Sequence, residues 1–181
     1  MKFSKLTERI SQLGSDKWLV HLEARKLKKN NPNIIELTIG EPDQLPPNEL
    51  IQKCYESMIS GRTKYSNGRG EESLLEALAK KYQSRTSLKV SKNNFLCLPG
   101  TQTALFATVM CLVEEGDEIL VGDPYYATYE GIIKSSGANL IPIPLREEHD
   151  FSLQENDIRK KITNKSKAIL LNYPHNPTGG I

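Results

Sequence analysis

Apolar residues recur along this chain in two patterns, which predict alternating helices and strands. A stripe of helical period such as Leu50, Cys54 and Met58 is typical of an amphipathic helix, and short apolar runs bounded by turn residues are typical of strands. Ser152 with Glu155 predicts a capping box at the last helix. The predicted helices cover residues 1–30 with a break at 14–16, a segment from Asn48 capped by Gly61, and residues 74–82, 101–113, 126–136 and 154–162; the predicted strands cover 34–39, 95–98, 118–121, 139–143 and 168–171.

Helices of about ten residues or more separate the later strands, and this spacing predicts the fold class. Consecutive strands joined by a helix run parallel through right-handed crossovers. The chain is therefore predicted to be an α/β protein with a mostly parallel sheet, flanking helices and an N-terminal helical arm. Prolines 42, 46 and 47 make a rigid connection, and the boundary is predicted near residues 43–48, with the arm at 1–47 and the α/β domain at 48–181.

Composition narrows the class of protein without identifying it. The 181 residues are 38% hydrophobic and 25% charged with a net charge of +2, which is ordinary for a globular protein and favours neither nucleic acid nor an anionic membrane as a partner. No apolar run reaches the length of a membrane span and no signal peptide is evident, so a cytoplasmic location is expected. Cys54, Cys97 and Cys111 are interpreted as small buried hydrophobes, and no histidine spacing indicates a metal site.

The turn Pro99–Gln102 joins a predicted strand to a predicted helix and could bind an anion. Glycine at position 100 lets the backbone approach a ligand closely, and the free amides and dipole at a helix N-terminus attract negative charge. The alternative is an ordinary strand-to-helix turn with Thr101 as the cap. Taken alone, the Pro99–Gln102 sequence favours an ordinary strand-to-helix turn over an anion site.

The segment Asp123–Tyr129 follows the next predicted strand and contains three tyrosines. Their rings offer flat faces for a planar ligand, and we expect Tyr126 to be the one that does so. The alternative is that Tyr125 and Tyr129 pack into the domain. We expect at least one of the two to do so.

Asn172 and Asn176 follow the last predicted strand, beside Pro174 and Pro177. Prolines fix the backbone, and a fixed amide is suited to hydrogen-bond an oxygen on a ligand. The alternative is a turn in which asparagine merely suits the geometry, and it is weaker for Asn176. Because parallel sheets bind ligands at the carboxyl ends of their strands, we expect this loop to share one cleft with Tyr126 and the Pro99–Gln102 turn.

The stretch Asn172–Gly180 resembles the Asn-Pro-Thr-Gly signature of the class I/II aminotransferases, the pyridoxal-phosphate enzymes of the aspartate aminotransferase fold. Nearly the whole chain from about residue 18 onward is similar to the N-terminal part of these enzymes. The resemblance implies the large domain of fold type I, here truncated, with part of the small domain in residues 1–47. Segments 98–106 and 125–131 resemble a branch that includes arginine–pyruvate transaminases.

The resemblance also implies roles for individual residues. The cofactor, pyridoxal 5'-phosphate, would have its phosphate at Gly100, Thr101 and Gln102, its ring against Tyr126 and its phenolic oxygen at Asn176. Other implied positions are Gly40 against the substrate carboxylate, Tyr65 reaching the cofactor of a second subunit, and cis peptide bonds at Asp123–Pro124 and Asn176–Pro177. A homodimer is therefore expected of the full-length protein.

Several groups that the family requires have no counterpart in this sequence. The Schiff-base lysine, the aspartate of the pyridinium nitrogen and the arginines for phosphate and substrate are expected beyond Ile181. We therefore expect the chain to be the front portion of a longer protein, with no catalytic residue of its own, and to be inactive alone.

The implied reaction is exchange of an amino group between an amino acid and a 2-oxo acid. Two alternatives stay open: another fold type I pyridoxal-phosphate enzyme, such as a β-lyase or synthase, and a non-catalytic phosphate-binding α/β fragment. The sequence has no Gly-x-Gly-x-x-Gly motif after a strand and no P-loop. A non-catalytic fragment that binds a nucleotide is therefore less favoured than one that binds phosphate.

Overall fold

The computed structural model describes residues 3–11, 13 and 15–181. Its α-helices there are α1 (Lys5–Ile10), α2 (Ser15–Asn30), α3 (Asn48–Ile59), α4 (Glu72–Arg85), α5 (Thr101–Leu112), α6 (Tyr129–Ser135) and α7 (Glu155–Lys161), and its strands are β1 (Glu118–Asp123), β2 (Asn139–Pro144) and β3 (Ser166–Leu170). Short 3-10 turns lie at Lys92–Asn94 and Glu147–His149. Of the predicted break at 14–16, Gly14 lies outside the described residues, and the prediction is wrong for Ser15 and Asp16, which belong to α2.

The three strands form one parallel sheet in the order β2-β1-β3. Glu118 pairs with Asn139 on one side and with Ser166 on the other, so β1 is the central strand. A central parallel strand is covered on both faces, and residues 119–122 are accordingly all buried. The α/β class and the strands near 118, 139 and 168 are therefore confirmed.

Two predicted strands are wrong. Within the described part of the chain, residues 34–39 and 95–98 join no sheet, although both contain the apolar residues of a strand. A strand needs a neighbour for its backbone groups. The Cys97 amide instead donates to the Arg69 carbonyl oxygen in a loop at 2.9 Å, and Ile35 and Leu37 point into solvent.

The predicted capping box at Ser152 is also wrong. The residue before α7 is Gln154, and the Ser152 hydroxyl donates to the His149 carbonyl oxygen at 2.7 Å, inside the preceding turn. A capping box occurs at Ser91, whose backbone amide donates to the Asn94 side chain at 2.9 Å. A serine hydroxyl can bond within a local turn instead of capping a helix, and the Ser152 hydroxyl bonds within the turn before α7.

The helix from Asn48 ends one residue earlier than expected, at Ile59, and Gly61 follows with a left-handed φ of 84°. Its amide donates to the Met58 carbonyl oxygen at 3.0 Å, which caps the last turn. The apolar stripe of this helix is exposed, as is Cys54 within it.

The prediction that the cysteines are buried is therefore wrong for two of them. Cys54 and Cys111 are exposed and Cys97 is half-buried, and all three are free thiols. Cys54 and Cys111 lie on helices whose apolar faces are not fully covered by the described residues, so an apolar sequence context did not translate into burial.

The core lies where α5 and α6 pack against the sheet. Its buried members are Val109, Val113, Ile119, Val121, Ile133 and Ala138. Ile133 on α6 and Val121 on β1 have almost no exposed surface. This packing fixes α6 over the sheet and so fixes the loop that enters it from the carboxyl end of β1.

The chain divides into two compact units. One unit combines the described residues up to Leu19 with Gln102–Ile181, and the other is Val20–Thr101. The predicted domain boundary near residues 43–48 stays a prediction. Among the described residues, no helix is both long enough and apolar enough to cross a membrane.

In the first unit, α1 packs against α6 at a notch left by a glycine. Gly137 has φ of 89°, and a Cβ there would meet the Arg9 guanidinium and the Glu115 Cα atom. In the second unit, the buried His21 binds Thr38 through Nδ1 at 2.8 Å and lies 2.9 Å from the Glu36 carboxylate. The packing at Gly137 thus holds α1 to the first unit. The His21 contacts hold the Glu36–Thr38 segment to the second unit.

Candidate functional site

The loop after β1 presents one tyrosine to solvent and packs two inward. Tyr125 and Tyr129 lie against the core, as expected of at least one of them, while Tyr126 is 37% exposed. The Tyr126 ring meets the Tyr129 ring edge-on, with centroids 5.7 Å apart and planes at 70°. Edge-to-face contacts are a favoured arrangement of aromatic pairs, and this one holds the partly exposed Tyr126 ring against Tyr129.

The loop after β3 carries the two asparagines. Asn172 lines the same small cavity as Tyr129, and Asn176 is exposed at the tip of the loop. Burial, followed by the neighbouring Tyr126, raises the pKa of Tyr129, and the nearby Asn172 amide opposes that rise. The Tyr129 phenol is therefore neutral at neutral pH.

The cis peptide bonds expected at Asp123–Pro124 and Asn176–Pro177 are confirmed. The structure adds a third, at Tyr173–Pro174. All three lie in the loops that follow β1 and β3.

His175 braces the second loop, a role that the sequence did not indicate. Its amide donates to the Gly180 carbonyl oxygen at 2.8 Å, and the Gly179 amide donates to the His175 carbonyl oxygen at 2.7 Å. Its ring Nδ1 lies 2.7 Å from the Thr178 hydroxyl, which also accepts a longer bond of 3.3 Å from the Gly180 amide. The histidine is buried, unlike Asn176 beside it.

A small, mainly apolar cavity lies behind these two loops, at the carboxyl ends of β1 and β3. His175 and Tyr129 both line it. Its lining comprises Val121, Gly122, Tyr129, Leu145, Leu153, Leu170, Leu171, Asn172, Tyr173 and His175. The loop after β3 is therefore supported from below by side chains that follow β1, β2 and β3.

We expect the protein to lose stability on acidification through His175. Burial lowers the pKa of this imidazole below its ordinary value of 6.5, so the unfolded state binds the proton more tightly than the native state does. The free energy of unfolding should therefore rise with pH from the depressed native pKa up to 6.5 and be level above it. Urea unfolding at a series of pH values measures this. His175→Leu, which cannot titrate, should have the shallower pH dependence, and equal slopes would contradict the assignment.

The turn before α5 has the backbone expected of a close approach to a ligand. Gly100 has a φ of 86°, in the left-handed region that favours glycine, and open space surrounds the position that a Cβ would take. The helix begins at Thr101, so Gly100 is the residue before the first turn, and Thr101 and Gln102 are exposed. The first amides of a helix have no partner within it, which leaves them free to bind an anion.

The remaining predicted positions are open to solvent. Tyr65 is fully exposed, as expected, and nothing lies within 4 Å of the position that a Cβ on Gly40 would take. Both belong to the second unit, with Gly100 and Thr101. Tyr126 and Asn176 belong to the first and follow neighbouring parallel strands, so the structure brings their loops to one sheet edge. Whether Gly100 and Thr101 share that cleft stays a prediction.

No group of three or more histidine, cysteine or acidic side chains that could hold a metal ion occurs in the described ranges. Two charged side chains of α6 pair with each other instead, since Lys134 donates to Glu130 at 2.8 Å, one helical turn away. The loops after β1 and β3 offer the exposed Tyr126 ring, asparagine amides and the Thr178 hydroxyl, with the Asp123 carboxylate at the end of β1.

The fold defines the class, an α/β domain with polar and aromatic loops at the carboxyl ends of parallel strands, and comparison with known proteins identifies the family. The model of the aminotransferase class I and II family matches residues 32–181. The chain belongs to this family.

Relatives with curated functions cover nearly all of the chain. An arginine–pyruvate transaminase of Pseudomonas aeruginosa is 35% identical over 179 residues, which is 99% of this chain and 46% of that protein. Human kynurenine–oxoglutarate transaminase 3 is 32% identical, over 100% of this chain and 41% of that protein. The chain therefore spans about half the length of the curated relatives it matches.

Solved structures give the same result for the fold. A mutant of Thermus thermophilus aspartate aminotransferase superposes with a TM-score of 0.91 at 28% identity, over 100% of this chain and 47% of that one. A Pyrococcus furiosus alanine aminotransferase also reaches 0.91, at 30% identity, over 99% of this chain and 46% of that one. The predicted likeness to an incomplete fold type I domain is confirmed.

Proposed function

We propose that this chain supplies part of the pyridoxal 5'-phosphate site of an aminotransferase, which moves an amino group between an amino acid and a 2-oxo acid. One observation carries the proposal. The loops after β1 and β3 lie at the same edge of a parallel sheet and expose an aromatic ring at Tyr126 and an amide at Asn176. The family to which the chain belongs, and the transaminases it is similar to, support the reaction class.

The turn at Gly100 fits a phosphate group. The amides of the first turn of α5 and its dipole favour an anion, and the open space around Gly100 admits one at close range. The Thr101 hydroxyl and the Gln102 side chain add polar groups on the exposed surface of the same turn. These residues would bind and orient the phosphate.

Tyr126 and Asn176 fit the ring of the cofactor. Tyr126 offers a partly exposed aromatic ring that packs against Tyr129, and Asn176 offers an amide donor for the phenolic oxygen. When bound, pyridoxal phosphate supplies an electron sink for substrate carbon chemistry. Gly40 would leave room for the substrate carboxylate, and no residue of this chain is assigned to proton transfer.

The proposal extends to a homodimer in which Tyr65 reaches the cofactor site of the second subunit. The fully exposed Tyr65 side chain is consistent with a partner beyond its own unit. Sedimentation of the protein that carries this chain is the test, and an active monomer would contradict it.

We expect Tyr126→Ala to weaken binding of pyridoxal phosphate by about tenfold, because one ring–ring contact contributes about 0.5–1.5 kcal/mol beyond the area it buries. Tyr126→Phe is the matched control, since it keeps the ring, and it should bind nearly as well as the wild type. Equilibrium dialysis of the protein that carries this chain gives the dissociation constants, and a transamination assay follows turnover. Equal affinities for all three proteins would contradict the assignment of Tyr126.

A further inference from the structure

The loop that carries Asn176 is closed upon itself by backbone bonds. Two amide–carbonyl bonds, His175 to Gly180 and Gly179 to His175, fasten its ends together at 2.8 and 2.7 Å. Asn176 lies exposed at the tip, between the fastened ends. The direction of its amide therefore depends on what holds the base of the loop to the domain.

At the base of this loop, where the two backbone bonds lie, the His175 ring points into the domain. It is 9% exposed and shares the cavity at the carboxyl ends of β1 and β3 with Tyr129 and Asn172. A buried polar ring is costly unless it is hydrogen-bonded. Its Nδ1 meets the Thr178 hydroxyl at 2.7 Å, on the far side of Asn176 in the sequence.

A second contact holds the same loop from outside. A Cβ at Gly180 would meet the Asp150 carbonyl oxygen at 2.7 Å and the Phe151 Cβ at 3.4 Å, so the loop end lies directly against that turn. The turn itself has an unusual backbone, since Asp150 and Phe151 both have positive φ. The loop is thus held at its end by close backbone packing and at its base by the histidine.

We propose that His175 is a positioning residue that holds the Asn176 amide toward the phenolic oxygen of pyridoxal phosphate, through its hydrogen bond to Thr178. The inference rests on the proposed function, since it concerns the ligand of the same site. His175 would itself contact no ligand atom. It acts by fixing the loop on which Asn176 stands.

The test compares binding of pyridoxal phosphate with binding of 3-deoxypyridoxal phosphate, which lacks the phenolic oxygen, in the protein that carries this chain. His175→Leu keeps an apolar side chain in the cavity and loses the hydrogen bond. It should weaken pyridoxal phosphate about tenfold, as expected for one lost hydrogen bond, and leave the deoxy analogue unchanged. A residue needed merely for packing would weaken both ligands alike, and that result would overturn the proposal.

Two further variants sharpen the test. His175→Asn puts an amide oxygen near the position of Nδ1 and should recover much of the affinity lost in His175→Leu. Thr178→Val removes the other partner of the same hydrogen bond. It should weaken pyridoxal phosphate but not the deoxy analogue, and it can be measured even if His175→Leu fails to fold. Wild-type affinity for pyridoxal phosphate in Thr178→Val and in any folded His175→Leu would overturn the proposal.

Asn176→Ala separates this inference from the proposed function. If Asn176→Ala weakens pyridoxal phosphate and His175→Leu does not, the site is correct and the role of His175 is wrong. If the wild-type protein binds neither ligand, the proposed function fails and this inference fails with it. In the double variant, His175→Leu should add nothing to Asn176→Ala, because the two residues act through one contact.

Discussion

Ile133→Ala should lower the free energy of unfolding by about 3 kcal/mol. The Ile133 side chain is 0% exposed and packs in the cluster that joins α6 to the central strand. Its removal takes away buried methyl and methylene groups and leaves a cavity, which the dense packing around Val109 and Val121 cannot fill. Urea unfolding followed by circular dichroism measures the loss.

Ile162→Ala is the matched control, because Ile162 follows α7 and is 55% exposed. Its replacement should change the free energy of unfolding by less than about 0.5 kcal/mol. Equal losses in the two variants would mean that α6 is not packed on the sheet as described. The assay is best made on the protein that carries this chain, so that every face has its usual surroundings.

Gly100→Val should weaken binding of pyridoxal phosphate by about tenfold or more, since a left-handed backbone costs a residue with a Cβ about 1–2 kcal/mol. Open space surrounds the Gly100 Cβ position, so the cost arises from the φ of 86° and not from a collision. The turn would relieve this strain by shifting, which moves the first amides of α5 away from the phosphate. Dissociation constants from equilibrium dialysis measure the effect.

Gly131→Ala is the control for this substitution. Gly131 lies inside α6 with nothing within 4 Å of its Cβ position and no positive φ. Alanine there should raise stability by about 0.5–1 kcal/mol and leave cofactor affinity unchanged. A Gly100→Val protein that binds as well as Gly131→Ala would contradict the role of the turn.

The strands and the polar loops that follow them were predictable because each is encoded in a short, contiguous stretch. A run such as Ile119–Val121 is apolar on both faces, and a central parallel strand requires this. The aromatic and amide residues after β1 and β3 were predictable for the same reason. Their roles as cofactor-binding residues rest on family resemblance and stay predictions.

The predictions that failed depended on what lies beside a segment. Residues 34–39 and 95–98 look like strands, yet none of the described residues forms a sheet with them. Cys54 stands in an apolar stripe, yet the described residues do not bury it. Ser152 has the spacing of a helix cap, yet its hydroxyl is used by the preceding turn.

The sequence by itself determined the α/β class, the order of its main elements and the types of side chain at the strand ends, since these follow from local periodicity and turn chemistry. The tertiary structure decided that Tyr129 packs against Tyr126 and lines one cavity with Asn172, and that His175 turns inward to fasten the Asn176 loop. The first feature depends on β1 and β3 being neighbours, because Tyr129 and Asn172 follow different strands of the sheet. The His175–Thr178 bond is local, and it is the burial of the His175 ring that comes from residues distant in the chain, such as Tyr129 and Leu145. Burial by such distant residues arises from packing, which no local pattern encodes.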